Sequence, residues 1–500
     1  MTIGDLDLRG RAQRLWPWGW AWLLAGIGVA LRTAQYFSNR SLSLDEASLA
    51  LNVLRRDFAG LLLPLEYEQG APIGFLVLER LVVETLGRSE PALRLIPFLA
   101  GIASVVLFLA VARRVLEPAA AVLAMGLFAV ADPLIFFASD LKQYSSDVAV
   151  ALALTLLGLL VLAGGLSAGK SLGLGLAGAA ALWLSHPALF VLGGLAAALA
   201  WSLRHERDRL VLLAGCGVLW GASFLILYLV SLRELAADRA LLGYWSGSFM
   251  PFPPGSVAEL GWFLGLAGVF DFPVGLPFVP LAALCWAAGV VHLWRTGRAP
   301  ILTLLAGSGL LALLASGLRT YPFEGRLLLF LVPAVLLLVA GGTLALGKAT
   351  GSPAVGWVLV ALLATGPLLR AADHLLDPRT VDEIRPVMSY LDQHRSPDQP
   401  VYVFWAAYNA YQYYAPRYGL DPAEVILGSF PAGELTTYLE DLRSLCGLDE
   451  VWLLFSHVAT LEGVDEEAFF LAQLEVLGEQ QDAFRAEGAA TYLYDLGPCR

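Results

Sequence analysis

Apolar runs of roughly 18 to 25 residues recur from residue 18 to about residue 370, each long enough to cross a hydrocarbon core of about 30 Å. The pattern predicts spans near 18–37, 94–113, 118–137, 147–164, 170–185, 187–203, 210–232, 275–294, 299–318, 326–346 and 354–370. Segment 70–87 (GAPIGFLVLERLVVETLG) is nearly as apolar, yet Glu79, Arg80 and Glu84 interrupt it. A charge at a span centre costs about 2.5 to 3.5 kcal/mol on insertion scales, so this segment is expected as an amphipathic helix at the outer membrane surface. Beyond residue 371 short β-rich runs start at Pro400, Glu424, Glu450 and Ala490, and they alternate with helical patterns at 380–394, 405–418, 433–446 and 464–476. That order predicts a small α/β domain with a largely parallel sheet.

The expected architecture is a polytopic α-helical membrane protein of about eleven transmembrane helices with a small C-terminal α/β domain. Residues 1–370 form the membrane domain, with interfacial helices in an outer loop at 38–93, and residues 371–500 form the soluble domain. Orientation follows from the short basic loops. Placing the N-terminus in the cytoplasm puts Arg113-Arg114, Lys170, Arg204/Arg207/Arg209, Arg295/Arg298 and Lys348 all inside and the C-terminal domain outside the cell membrane. Counting 70–87 as a span would reverse every one of them.

Composition agrees with a bilayer as the main solvent. The chain is 58% hydrophobic with a mean hydropathy of +0.67, and 15% of it is charged against about 25% in soluble proteins. The net charge of -11 is unevenly placed. Residues 371–500 hold 22 of the 43 acids and 7 of the 32 basic residues, so the tail carries -15 and the remainder +4. No basic stripe interleaved with aromatics is present, which argues against a nucleic-acid partner. The basic stretch Arg9, Arg11 and Arg14 precedes a span without a small-residue cleavage site and reads as the start of a retained first helix. Cys216 and Cys285 fall in spans, whereas Cys446 and Cys499 lie in the tail and can pair if it faces an oxidising compartment.

Ionisable residues gather at the predicted outer ends of the spans. In SLSLDEASLALNVLRR, from Ser41, Asp45 and Glu46 open an amphipathic helix; acids there either complement the helix dipole as caps or act chemically. ASDLKQYSSD, residues 138–147, adds Asp140, Lys142, Tyr144 and Asp147. Two acids can bracket a reacting hydroxyl or hold a divalent ion, and a lysine can neutralise a phosphate, while the plainer reading is a polar outer turn. RTYPFEGR, residues 319–326, contributes Tyr321, Glu324 and Arg326, the last able to grip a lipid phosphate or simply to snorkel. His186, in LSHP, breaks an apolar run at the same side. The tail has no Gly-rich phosphate loop, no paired CxxC and no catalytic serine motif, and His374, His394 and His457 lack ligand spacing, which favours surface or packing roles.

These segments together resemble the GT-C superfamily of integral-membrane glycosyltransferases, in particular the protein O-mannosyltransferase and aminoarabinose transferase relatives and the RgtA/B/C/D-like group. LDEASLALNVL from Leu44, APIGFLVLERL from Ala71, SEPALRLIPFLAGIASVVLFLAVARRVL from Ser89, DLKQYSSD from Asp140, LSHP from Leu184 and YPFEGRLLLFLVP from Tyr321 carry the likeness. The resemblance implies transfer of a hexosyl or pentosyl unit from a polyprenyl-phosphate donor to a glycan, lipid or protein acceptor at the outer face. It places Asp45 as the group that orients or deprotonates the acceptor, Glu46 in support, Asp140 as the second-loop acid, and Lys142 at the donor phosphate, where relatives often carry arginine. Gly70-Ala71-Pro72 stands where relatives have paired prolines. Metal dependence varies across the superfamily, so a divalent ion stays an open expectation. A transporter or flippase of a lipid-linked glycan is the competing reading; it would be expected to show inverted repeats and charges at mid-membrane depth, and the sequence shows no such repeat.

Overall fold

A computed structural model describes residues 3–431, 435–461 and 463–497, and resolves into two compact units. The first comprises residues 1–38, 57–87 and 91–378, and the second residues 39–56, 88–90 and 379–500. The first outer loop, read from sequence as part of the membrane domain, is thus divided: its helix Leu44–Arg55 packs with the tail, while the helix Ile73–Leu86 stays in the first unit. Composition changes near residue 371, whereas the long helix Pro353–Leu376 carries the first unit a few residues further.

The first unit is a helical bundle. Leu95–Val115, Tyr144–Gly164, Arg207–Ala237, Ala299–Gly317, Gly325–Ala349 and Pro353–Leu376 are each long and apolar enough to cross a membrane. Pro118–Val130 and Asp132–Ser139 make a seventh when counted as one span bent by 58°. Shorter apolar helices include Ala168–Leu184, Ala188–Leu203 and Val279–Arg295, and a long first helix covers Ile3–Phe37. The chain is a multi-pass membrane protein by these elements.

The bend has a local cause. Pro133 has no amide proton to give Ala129 four residues back, so the helix cannot continue through it. The freed carbonyls are taken by the buried Arg32 of the first helix, whose guanidinium lies 3.4 Å from both Phe128 O and Ala129 O and rests on the Phe128 ring. Two other helices meet backbone to backbone. A Cβ on Gly342 would lie 1.8 Å from Cys285 O, and one on Gly289 would lie 2.1 Å from Leu338 O, the close approach that small residues permit in membranes.

The second unit is built on a five-stranded sheet ordered β2-β1-β3-β7-β6, with β1 Val401–Val403, β2 Ile426–Leu427, β3 Val451–Ser456, β6 Glu479–Ala486 and β7 Ala489–Asp495; β4 Thr460–Leu461 and β5 Val464–Asp465 form a separate hairpin. The sheet is mixed rather than largely parallel: β1 runs parallel to β2 and β3, but β3–β7 and β6–β7 are antiparallel. The difference comes from β6 (EQQDAFRA), a polar edge strand with no apolar run to announce it. Trp452, Tyr402, Phe404, Tyr438, Phe455 and Phe470 fill the core. Tyr411 and Tyr414 are buried there too, so these tail aromatics serve packing. Cys216 and Cys285 are free thiols and Cys446 is disulfide-bonded; Cys499 lies outside the described residues.

Gly342→Leu inserts a side chain where none fits, and overpacking costs about 1 to 3 kcal/mol or more. A lower thermal midpoint in detergent is expected, measured by loss of monodisperse protein after heating, with Gly26→Leu, where a Cβ meets nothing within 4 Å, as the neutral comparison.

Candidate functional site

In the second unit, the chain from residue 39 to 56 is shaped by carboxylates. Glu46, fully buried, accepts from the Arg40 guanidinium at 2.6 Å and from the Ser43 amide at 3.2 Å. Its carboxylate therefore caps the helix Leu44–Arg55 from inside. Asp45, one residue earlier in that first turn, is partly exposed. Acids from the tail complete the arrangement. Glu383 accepts from the Ser41 amide and hydroxyl, each at 2.9 Å, and Asp382 Oδ2 accepts from the Leu44 amide at 3.3 Å. The Tyr414 hydroxyl accepts from the Leu42 amide at 2.9 Å. Asn409 donates to the Ser48 hydroxyl at 2.8 Å. A second grip holds residues 88–90: Arg417 makes a two-point pair with Glu90 at 2.9 and 3.0 Å, joined by Arg385 at 3.4 Å. Burial alone would raise the Glu90 carboxyl, but the Arg417 hydrogen bond and the charges of Arg417 and Arg385 outweigh it and hold it below the ordinary carboxylate range.

In the first unit, the segment DLKQYSSD is buried instead of forming an exposed turn. Asp140, Lys142, Gln143, Tyr144 and Asp147 are all less than a tenth exposed. The bend at Pro133 redirects the chain, so the segment enters the bundle and starts the helix Tyr144–Gly164 there. Lys142 donates to the side-chain carbonyl of Gln69, and Gln143 lies 3.4 Å from Gly70 O. Arg326 sits over the Tyr144 ring at 5.7 Å. The Tyr321 hydroxyl donates to Leu327 O at 2.8 Å, and Phe190 packs edge-on against its ring. Burial, with the nearby Asp147 and Tyr144, pushes the Tyr321 phenol well above its ordinary value. Ser185 lies beside Asp147. His186 follows at the break between Ala168–Leu184 and Ala188–Leu203, and burial pushes its imidazole down to about 4.

Four buried polar atoms in this region, Gln143 Oε1, Asp147 Oδ1, Ser185 Oγ and His186 Nε2, have no hydrogen-bond partner in the protein. Buried polar groups are expected to be satisfied, so such a group of atoms marks a place for water or a polar ligand. Glu324 is exposed and accepts from the Ser248 hydroxyl. Within the first unit, then, Lys142, Tyr144, Asp147, His186, Tyr321 and Arg326 occupy connected elements, with Asp140 two residues before Lys142. Asp45 and Glu46 belong to the second unit. Gln69, Asp382 and Glu383 had no motif to single them out, and Ser185 stood in LSHP beside the histidine that was picked. Glu79 is also buried without a partner for either oxygen, and burial raises its carboxyl well above the ordinary range. His374, at the end of Pro353–Leu376, lies 2.6 Å from Asp132 just after the bend. Among the described residues no group of three or more His, Cys, Asp or Glu side chains is gathered to hold a metal ion.

The fold is similar to those of two solved proteins. ArnT from Cupriavidus metallidurans, solved bound to undecaprenyl phosphate, superposes with a TM-score of 0.53 at 14% identity over 95% of this chain and 98% of that one. The archaeal oligosaccharyltransferase AglB from Archaeoglobus fulgidus, solved with an inhibitory peptide and a dolichol-phosphate, superposes with a TM-score of 0.54 at 12% identity over 96% of this chain and 74% of that one. No family model and no curated protein matches the sequence.

The lowered His186 value has a direct consequence for stability. The unfolded chain binds this proton near the ordinary value of 6.5 and the folded chain only near 4. The histidine's contribution is therefore complete above about pH 6.5 and is lost as pH falls toward 4. Thermal unfolding at pH 7.5 and pH 5 is expected to show a smaller acid-induced loss in His186→Asn than in the wild type.

Proposed function

We propose that this chain is a glycosyltransferase that moves a hexosyl or pentosyl unit from a polyprenyl-phosphate donor to an acceptor hydroxyl, with inversion at the anomeric carbon. Its main support is the buried Lys142, two residues before Tyr144, and the half-buried Arg326 that sits over the Tyr144 ring, at the N-terminus of the helix Tyr144–Gly164. Cations and the positive end of a helix together favour a phosphate. Beside them, the unpartnered atoms of Gln143, Asp147, Ser185 and His186 suit sugar hydroxyls, which both donate and accept.

On this reading the donor phosphate is held by Lys142 and Arg326, and Asp45 takes the proton from the acceptor hydroxyl. The hydroxyl oxygen bonds to the anomeric carbon as the bond to the phosphate oxygen breaks, and polyprenyl phosphate leaves as the anion. The cations stabilise the charge that develops on the leaving group. Glu46 acts by fixing the helix turn that carries Asp45, and Asp140, two residues before Lys142, is the second acid of the reading. Tyr321 lines the donor region, and Glu324 anchors the loop that leads to Arg326. About eleven spans, a cytoplasmic N-terminus, an extracytoplasmic tail and residence in the cell membrane complete the proposal.

Purified protein assayed with a panel of undecaprenyl-phosphate sugars checks this. Asp45→Asn is expected to lower kcat by about 10²-fold or more, and Lys142→Gln and Arg326→Gln to raise the donor KM roughly tenfold each. Undiminished turnover in folded Asp45→Asn would remove it as the base.

A further inference from the structure

The end of the helical bundle away from Tyr144 holds a feature that the proposed transfer does not use. A cavity of about 70 Å³ opens there, lined by residues of Leu95–Val115, Val279–Arg295, Ala299–Gly317 and Gly325–Ala349 and of the turns beside them. One water needs about 10 to 15 Å³ of such space, so the cavity takes a group of several heavy atoms. Gly325–Ala349 carries Arg326 near its start and Lys348 near its end, about 30 Å further along the helix. Trp294, at the end of Val279–Arg295, and Trp357, in the first turns of Pro353–Leu376, are exposed at this same end. Exposed tryptophan on a membrane bundle gathers at headgroup depth, which puts the cavity at the level of lipid phosphates.

The lining divides by chemistry. Leu305, Leu337, Leu338 and Leu344 give apolar walls, and Glu117, His292, Arg298 and Lys348 are the titratable groups. Lys348 and Glu117 are exposed and pair with each other, so their charges offset. Arg298 is half-buried, and its side chain bonds the described residues once, Nη1 donating to Val115 O at 2.7 Å. Nε and Nη2 thus remain as one donor edge of the guanidinium. The half-buried His292 ring makes no hydrogen bond with the described residues, and in either protonation state an imidazole keeps at least one N–H. The charge left over is that of Arg298, which pairs with no carboxylate among the described residues.

We propose that this cavity binds an anionic phospholipid, the headgroup phosphodiester accepting from Arg298 and His292 while an acyl chain lies along the leucine wall. A phosphodiester is a monoanion, which one guanidinium balances, and its two oxygens match two parallel N–H donors. A zwitterionic headgroup would bring an ammonium to a lining whose one acid is already held by Lys348. The leucines favour a lipid over a soluble anion, and basic pockets between membrane helices suit such headgroups. The site lies apart from the transfer chemistry and does not depend on it.

Native mass spectrometry of the full-length protein in detergent, titrated with dioleoyl phosphatidylglycerol or dioleoyl phosphatidylcholine, reads the first lipid bound. Phosphatidylglycerol is expected to bind about tenfold more tightly, and Arg298→Gln and His292→Leu each to weaken it by roughly five- to tenfold, with phosphatidylcholine unchanged. Arg298→Gln keeps an N–H for Val115 O, and His292→Leu removes no hydrogen bond of the side chain. A lipid-free thermal midpoint equal to the wild type's is therefore expected of both. Arg114→Gln removes an exposed charge at the same end but outside the cavity, and is expected to bind as the wild type does. Equal affinity for the two lipids overturns the proposal, as does wild-type affinity in either cavity variant or an equal loss in Arg114→Gln. Displacement of phosphatidylglycerol by millimolar inorganic phosphate overturns it in favour of a soluble anion.

Discussion

A helix that breaks inside an apolar bundle leaves carbonyls with no donor, and hydrocarbon offers them no water. The guanidinium of Arg32 answers that constraint in this chain, reaching Phe128 O and Ala129 O where Pro133 ends the helix. Once these carbonyls are satisfied, the chain can turn by 58° and run inward. The segment that follows depends on that turn. It buries Asp140 to Asp147, sets Lys142 against Gln69, and starts a helix with its positive end beside Tyr144 and Arg326. Buried polar residues are expensive in such surroundings unless paired, so the atoms of Gln143, Asp147, Ser185 and His186 left without partners carry more information than the many that have them.

The second unit solves a related problem with the opposite charge. Amides at residues 41, 43 and 44 point to carboxylates of Glu383, Glu46 and Asp382. Part of the tail's acidity is therefore structural, spent on backbone donors of a loop far away in sequence. Glu90 shows the same economy, with two arginines holding its charge in place. Several charged hydrogen bonds thus fix the backbone on both sides of the turn that carries Asp45.

Much of this was legible from the pattern of apolar residues, because span length and strand alternation are imposed by the solvent on each side. The helices Leu95–Val115, Ala188–Leu203 and Ala299–Gly317 begin and end within about two residues of the apolar runs. The interruption of segment 70–87 by Glu79, Arg80 and Glu84 marked a shorter helix, Ile73–Leu86, although Glu79 turned out to face inward. The strands near residues 401, 451 and 489 were likewise announced by β-rich runs. What stayed hidden was non-local. Nothing near Leu44 says that its amide meets Asp382, 338 positions later. The strand β6 is polar because it lies at a sheet edge, and its hairpin with β7 leaves β7 as the one strand of the five that runs against the others. Glu46 was ambiguous between a cap and a reactive acid, and only its zero exposure and its bonds to Arg40 and Ser43 give it a place.

The chain passes between its two units five times. This interleaving sets a timetable for the nascent protein. Ser41 leaves the ribosome 342 residues before Glu383 exists to receive its amide. At about 5 to 20 residues per second, the loop waits roughly 20 to 70 seconds for its partner. Through that interval Asp45 sits on an unanchored segment, and a chain stopped at the last long helix never leaves that state. Synthesis of residues 379–500 is thus the event that completes the loop, and a chain that stops before them has helices but no acids at 382 and 383 for the amides of Ser41 and Leu44.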